Sequence, residues 1–277
     1  MPRFFGNEEP GLIFVRVLRC NRKIPALILD VIDRFSNSIN SLFMQLDERR
    51  ILVVGGAEGI GLAASALFVA EGAQVIVASR SRIKLDTAVA TLGGRATPEC
   101  VDIDDECSIS SLFARVGHFD HLVVTARRRV PPTCFRETPC DCAMQAFDTK
   151  FWGQFRLAQH ACEFLRDGGS ITLSSGTAGA RAYPGHSVNA AINGATEALA
   201  RTLAVELAPI RVNVVSPCFA DDGTNSPQRL SGALTLLGRI PSGRLATCAE
   251  IARAYLFLVL NDAVSGTVLV VDGGASC

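Results

Sequence analysis

The chain has 277 residues, 48% hydrophobic and 19% charged, so a sizeable core can be buried and global disorder is excluded. Length admits one large α/β domain or two small ones. The 27 Lys+Arg balance the 27 Asp+Glu, which leaves no net positive field to release phosphate counterions and argues against nucleic acid as a partner. No apolar run reaches the roughly 18 residues that a membrane-crossing helix needs.

Ten cysteines are scattered along the chain, and the closest pair, Cys140 and Cys142, lacks the two-residue gap of a zinc knuckle or dithiol motif. No metal site is expected. A chain with a full core needs no disulfide staples, so the thiols are read as reduced and the protein as cytoplasmic.

Residues 1–46 differ from the rest of the chain. The first 23 residues carry Arg3, Arg16, Arg19, Arg22 and Lys23 against Glu8 and Glu9. From Ile24 to Leu46 apolar residues, among them Leu27, Ile28, Val31, Ile32 and Phe35, recur at steps of three and four. That spacing predicts a helix over about 24–46, with Pro25 suited to its first turn. Its other face, including Asp30, Asp33 and Asn37, is polar but not basic, which weakens a membrane-surface reading. The acidic residues also weigh against a mitochondrial presequence. The segment is read as an N-terminal extension, docked on the domain or a partner subunit or else poorly ordered, ahead of one domain over 47–277.

From residue 50 short β-rich runs alternate with helical stretches: 51–54, 74–79, 98–103, 120–125, 170–175, 210–216 and 267–271. Between them lie apolar-periodic segments, notably Gly61–Glu71, Phe151–Leu165, Ile192–Leu207 and Ala249–Leu260. Near-continuous apolar strands separated by helices imply a parallel sheet covered on both faces. The expected fold is a Rossmann-like, doubly wound α/β sheet of seven strands, with its ligand crevice at the carboxyl ends of the strands.

Directly after the first strand comes Gly55-Gly56-Ala57-Glu58-Gly59-Ile60-Gly61, and then a helix. Glycines at 55, 59 and 61 permit a tight turn, close backbone approach to a pyrophosphate, and close helix–strand packing. The helix N-terminus adds free N–H groups and a positive dipole end, so Gly55, Glu58, Gly59, Ile60 and Gly61 are candidate phosphate contacts. At the end of the second strand a carboxylate would select NAD(H). This chain has Ser79, Arg80 and, two on, Arg82, whose guanidinium forks suit a 2′-phosphate, so NADP(H) is the expected cofactor. Asp102 and Ile103, ending the third strand, are placed to meet the adenine edge.

Together these residues resemble the short-chain dehydrogenase/reductase family from about Arg50 to Gly274. Leu173-Ser174-Ser175, Ala204-Val205-Glu206-Leu207 with Ile210–Pro217, and the closing Val271-Asp272-Gly273-Gly274 carry the rest of the likeness. The resemblance implies hydride transfer between a nicotinamide and a small-molecule carbonyl or alcohol, and dimers or tetramers. It adds Thr125, Ala126 and Pro217 as nucleotide contacts and Ser175 as the residue that orients the substrate oxygen.

The family's Tyr-x-x-x-Lys pair is missing: its positions fall on Gly185 and Asn189. Its helical Asn falls on Lys150, a relocated cation that the resemblance places on the pocket floor. Tyr183 and His186, on the loop entering the same pocket, are alternative proton donors. A cation in place of the Asn and a Pro-Gly loop in place of the Tyr also resemble some fungal secondary-metabolism members, which include bifunctional reductase/cyclases acting on imines. The expected activity is NADP(H)-dependent reduction or oxidation of a small apolar carbonyl, alcohol or imine. The alternatives are a non-redox cyclase or isomerase on the same fold, or a nucleotide-binding scaffold.

Overall fold

A computed structural model describes residues 46–127, 131–221 and 240–277. The expected N-terminal helix lies outside the described residues except for Leu46, which is buried in the core of the compact unit Leu46–Cys277. In chain order the elements are β1 (Arg50–Val54), α1 (Gly59–Ala70), β2 (Gln74–Ser79), α2 (Arg82–Thr91) and β3 (Ala96–Cys100). Next come α3 (Glu106–Val116), β4 (Phe119–Val124), α4 (Cys140–Phe147), a π-helical turn (Asp148–Trp152), α5 (Gly153–Ala161) and β5 (Leu165–Ser174). The chain continues through α6 (Ser187–Glu206), β6 (Arg211–Pro217), the short strands β7 (Ala220–Asp221) and β8 (Ala246–Thr247), α7 (Cys248–Leu260) and β9 (Val268–Val271).

Seven of these strands form one parallel sheet in the order β3-β2-β1-β4-β5-β6-β9, while β7 pairs with β8 alone. Alternation across the pleat sends Ile51 and Val53 of β1 to one face, and Leu52 and Val54 to the other. The first face packs on α1, α2 and α7 through Phe68, Leu85 and Leu258. The second packs on α3, α5 and α6 through Phe113, Leu157 and Ala200. This is the doubly wound arrangement that the apolar strands imply.

Local limits depart from the sequence pattern in three places. The third strand closes at Cys100, so Asp102 and Ile103 follow it instead of ending it. The fifth strand begins at Leu165 and closes at Ser174, so Ser175 is the first residue beyond it. The helix expected over Phe151–Leu165 is divided between the π-helical turn and α5. Apolar periodicity also fails to single out α2, which buries only Leu85 and Ala88. Its start is written instead in Ser81, whose hydroxyl accepts from the Lys84 amide at 3.4 Å, as Asp105 accepts from Cys107 to start α3.

The two ends of the sheet are fastened differently. At the amino end, Asp120 accepts from the Arg50 amide at 2.8 Å and from the Arg49 and Arg166 guanidiniums at 3.1 Å each. Burial pushes its carboxyl up, but those donors outweigh it and hold it below its usual range. At the carboxyl end, the Ser174 hydroxyl donates to the Val124 carbonyl and lies 2.6 Å from the hydroxyl of Tyr255 on α7. Tyr255 is buried, and its phenol is pushed up to about 12, so it remains neutral. No disulfide joins the nine described cysteines.

Candidate functional site

The chain leaves β1 toward β2 and β3 on one side, and later fills β4, β5, β6 and β9 on the other. The reversal between β1 and β4 is the switch point above which an open α/β sheet leaves a crevice. The glycine loop stands at this point. A Cβ on Gly55, at φ +89°, would lie 2.4 Å from the Ala126 nitrogen, and one on Gly61 would lie 2.2 Å from the Gly55 carbonyl oxygen. Thr125 fills the space beneath the loop: its hydroxyl donates to the Val54 carbonyl at 3.3 Å and would stand 2.5 Å from a Cβ on Gly61. Gly59 differs, because at φ +54° an added Cβ meets nothing within 4 Å. Glu58 starts α1 without a side-chain capping hydrogen bond to its first turn, at Gly59, Ile60 and Gly61.

Around the end of β2 the structure gathers cations. Ser79 is the last residue of the strand and Arg80 is exposed beside it. Arg82 is held by Asp86 one turn along α2, at 3.0 Å. Lys84, which the sequence pattern does not single out, reaches Glu58 at 2.8 Å and brings an ammonium to the rim of the glycine loop. Its signal is its place three residues after Ser81, in the first turn of α2. Asp102 accepts from the Asp104 amide at 3.1 Å, whereas the Ile103 side chain is buried against Gly153. Pro217 ends β6, which stands beyond β4 and β5 from the loop.

The chemistry-bearing cluster lies above β5. The chain contains only three lysines, Lys23, Lys84 and Lys150. Lys150, in the π-helical turn, is 8% exposed and donates to Asn193 Oδ1 at 2.6 Å and to the Ser175 carbonyl at 3.1 Å. Gln154 fixes that turn to the strand end: its Nε2 donates to the Lys150 carbonyl at 2.7 Å, and its Oε1 accepts from the Ser174 amide at 2.8 Å. The Ser175 hydroxyl donates to Glu197 Oε1 at 2.8 Å. Asn193 and Glu197 belong to one buried stripe of α6 with Ile192, Thr196 and Ala200. Close approach of that helix needs glycine on the facing loop, since a Cβ at Gly179 would lie 3.0 Å from the Asn193 Cβ and 3.1 Å from Glu197 Oε1.

Burial lowers the Lys150 ammonium from its ordinary range to about 7; Arg127, beyond β4, lowers it further, and Glu197 raises it. A group titrating there can hold or release a proton at neutral pH. Asn193, Glu197 and Gln154 are partners of Lys150 and Ser175 that the sequence pattern does not reveal. The signal available for the first two is their phase, because they fall in register with the apolar positions of their helix.

Tyr183 and His186 stand together on the loop leading into α6, with ring centroids 6.0 Å apart. The Tyr183 hydroxyl lies 3.5 Å from Thr177 Oγ1, and the His186 ring also meets Phe219. Burial lowers the His186 imidazole below its usual range, favouring the neutral form. Ser175 and Lys150 are thus brought together through the Ser175 backbone, while the pair at 183 and 186 forms an aromatic contact of its own.

A family model described as enoyl-(acyl carrier protein) reductase matches residues 55–276. The chain is 32% identical over 239 residues to L-xylulose reductase of Mus musculus, an alignment covering 82% of this chain and 96% of that protein. Among solved structures it is similar to a small-chain dehydrogenase in complex with NADPH, at TM-score 0.72 and 38% identity, over 83% of this chain and 99% of the other. It is also similar to the MalC reductase/Diels-Alderase of Malbranchea aurantiaca, at TM-score 0.77 and 25% identity, over 84% and 98% of the two chains.

Proposed function

The chain belongs to the short-chain dehydrogenase/reductase family of oxidoreductases, and we propose that it transfers a hydride between NADP(H) and a small apolar carbonyl, alcohol or imine. The observation that carries this reading is Lys150, buried on Asn193 and Ser175 at the end of β5, one strand beyond the β4 that borders the glycine loop. A scaffold subunit has no need of a buried ammonium, whose desolvation works against folding.

The residues around the loop fit a dinucleotide phosphate. Gly59 leaves open space on a loop that Gly55 and Gly61 otherwise pack tightly, and the first turn of α1 carries no side-chain cap. Arg80 and Lys84 supply cations for a 2′-phosphate, and the proposal includes Ser79 and Arg82 at the same rim. The small-chain dehydrogenase that shares this fold is in complex with NADPH. When bound, the nicotinamide supplies or takes up the hydride. The chain's own residues do the rest: the loop binds, Thr125 and Ala126 shape its floor, and Lys150 holds a proton beside Ser175. With Gly185 and Asn189 at the usual donor positions, Lys150 is the group that changes charge near neutral pH.

A second reading, a reductase that also guides a cyclisation, is favoured by the likeness to the reductase/Diels-Alderase together with the absent Tyr-x-x-x-Lys pair. Assembly as a homo-dimer or homo-tetramer and a cytoplasmic location are proposed on the family resemblance and the free cysteines. Among the described residues no helix is long and apolar enough to cross a membrane. The test is absorbance at 340 nm with NADPH and a panel of apolar ketones and cyclic imines. Cofactor consumption supports the proposal. Conversion of a substrate without it supports a non-redox enzyme, and nucleotide binding with neither supports the scaffold.

A further inference from the structure

Two polar side chains on α6, Asn193 and Glu197, sit one turn apart and face the two groups that the sequence singles out for chemistry. Asn193 takes the Lys150 ammonium and Glu197 takes the Ser175 hydroxyl, while Lys150 also holds the Ser175 carbonyl. The four residues are all at least nine-tenths buried. Each bond is 3.1 Å or shorter, and the two ends of the cluster belong to different elements. Glycine at 176 and 179 is what admits the helix: a Cβ at 176 would stand 3.0 Å from Asn193 Nδ2.

We propose that Glu197 is a positioning residue of the site, whose carboxylate orients the Ser175 hydroxyl and stabilises the positive charge on Lys150. This rests on the reading of Lys150 and Ser175 as the working pair. The geometry separates two duties. The hydrogen bond fixes the rotamer of Ser175, which needs only an acceptor oxygen. Stabilising the ammonium needs a negative charge, because Lys150 has no carboxylate among its hydrogen-bond partners and Asn193 offers only a dipole. The charged groups acting on Lys150 are Arg127 from beyond β4, which opposes its protonation, and Glu197 from α6, which favours it. Glu197 is therefore the group that favours the protonated form of Lys150 against burial and Arg127.

Three lysines make this directly readable, since protein labelled with ¹³C at lysine Cε gives three side-chain signals. Lys150→Met assigns the Lys150 signal by its disappearance. A pH titration of the full chain without nucleotide then gives the amine midpoint. Glu197→Gln keeps an oxygen for Ser175 and removes the charge, and it moves the midpoint down by about one pH unit or more. Ser175→Ala leaves both charges and leaves the midpoint in place. If Glu197→Gln does not fold, judged by circular dichroism, Glu197→Asp takes its place and gives a midpoint between those two. An unmoved midpoint in the folded Glu197 variant overturns the proposal.

In turnover, Glu197→Gln lowers kcat at least tenfold with KM for NADPH unchanged, and its activity–pH profile shifts with the amine midpoint. A variant whose midpoint moves while kcat stays at the wild-type value also overturns the positioning role. The titration needs neither substrate nor nucleotide. A shifted midpoint in a protein that consumes no NADPH with any substrate retires the oxidoreductase reading and leaves the Glu197–Lys150 coupling standing.

Discussion

Lys150 and Asn193 are 43 positions apart in sequence and meet with Nζ 2.6 Å from Oδ1. Asn189, where the family's lysine would sit, lies one turn before Asn193 on α6. The ammonium therefore reaches the same helix from the opposite wall, carried by the π-helical turn instead of by α6. The position on α6 where the family carries its lysine holds the uncharged Asn189, and the buried ammonium beside that helix comes from another element.

Nucleotide selectivity follows from the rim of the glycine loop. NADPH binds at least about tenfold tighter than NADH, worth roughly 1.4 kcal/mol. Arg80→Ala and Lys84→Met each narrow the gap, whereas Arg82→Ala changes it little because Asp86 already holds that guanidinium. Fluorescence titration of both nucleotides measures this; equal affinities in the unmodified protein would sink it.

The glycines of the loop separate folding from binding. Gly61→Ala places a methyl 2.2 Å from a backbone oxygen and lowers stability by roughly 1–3 kcal/mol. Gly59→Ala has open space and costs only its left-handed backbone, about 1–2 kcal/mol, yet its methyl stands where a phosphate would approach. Calorimetry shows both variants destabilised, Gly61→Ala the more. In Gly59→Ala the NADPH affinity falls at least about tenfold beyond that, and wild-type affinity there contradicts the placement of the pyrophosphate.

On the proposed function, turnover depends on Lys150 and Ser175. Lys150→Met lowers kcat by about 10² or more, Ser175→Ala does similarly, and the double variant is little worse than either, as groups acting as a unit are non-additive. Tyr183→Phe tests the competing donor, and a loss equal to that of Lys150→Met would move the proton to the loop. Nucleotide affinity measured in parallel separates lost binding from lost chemistry.

Lys150 also links stability to pH. Its folded pKa is about 7 against 10.5 for the free side chain. Between those values the unfolded chain binds more protons, so stability rises with pH across that window, and the full penalty remains below about 7. The stability difference between wild type and Lys150→Met therefore shifts toward wild type by on the order of 4 kcal/mol from about pH 6.5 to about pH 10.5. Denaturant titrations at both pH values read this difference. A pH-independent one means that the ammonium is solvated.

Removing residues 1–43 leaves the nucleotide site intact, because Leu46 is retained in the core and the glycine loop begins at Gly55. The shortened chain binds NADPH with unchanged affinity by the same titration, whatever becomes of its oligomeric state on size exclusion. Loss of folding would instead place the 24–46 segment within the core.

Much of this molecule is legible where one principle dominates. The runs at 51–54 and, within 74–79, Val75 to Ala78 are buried on both faces, and short, continuously apolar segments rich in β-branched residues suit little besides a covered strand. The glycine loop is legible because strand, glycines and helix follow in fixed order. Helix α2 is not, since two buried residues give no stripe and Ser81 alone marks its start. Asn193 and Glu197 escape because polar residues in an amphipathic helix are ordinarily counted to its wet side. Only the glycines facing them, together with Lys150 arriving from another element, turn them inward. Lys150 itself is found from a resemblance, and only its burial tells it from a surface lysine.

From Asp120 on β4 to Thr125 just past its end, the extended chain rises about 16 Å, so the arginine-bound carboxylate and the floor of the glycine loop sit beyond the range at which substitutions couple. Damage at the two ends then has different consequences for the cell. A chain weakened at Asp120 exists in fewer folded copies, but each copy binds and reacts as before. A chain altered at Gly59 loses work per molecule, over and above any loss of copies. Measured against protein level and specific activity together, variants of this protein divide along the length of one strand.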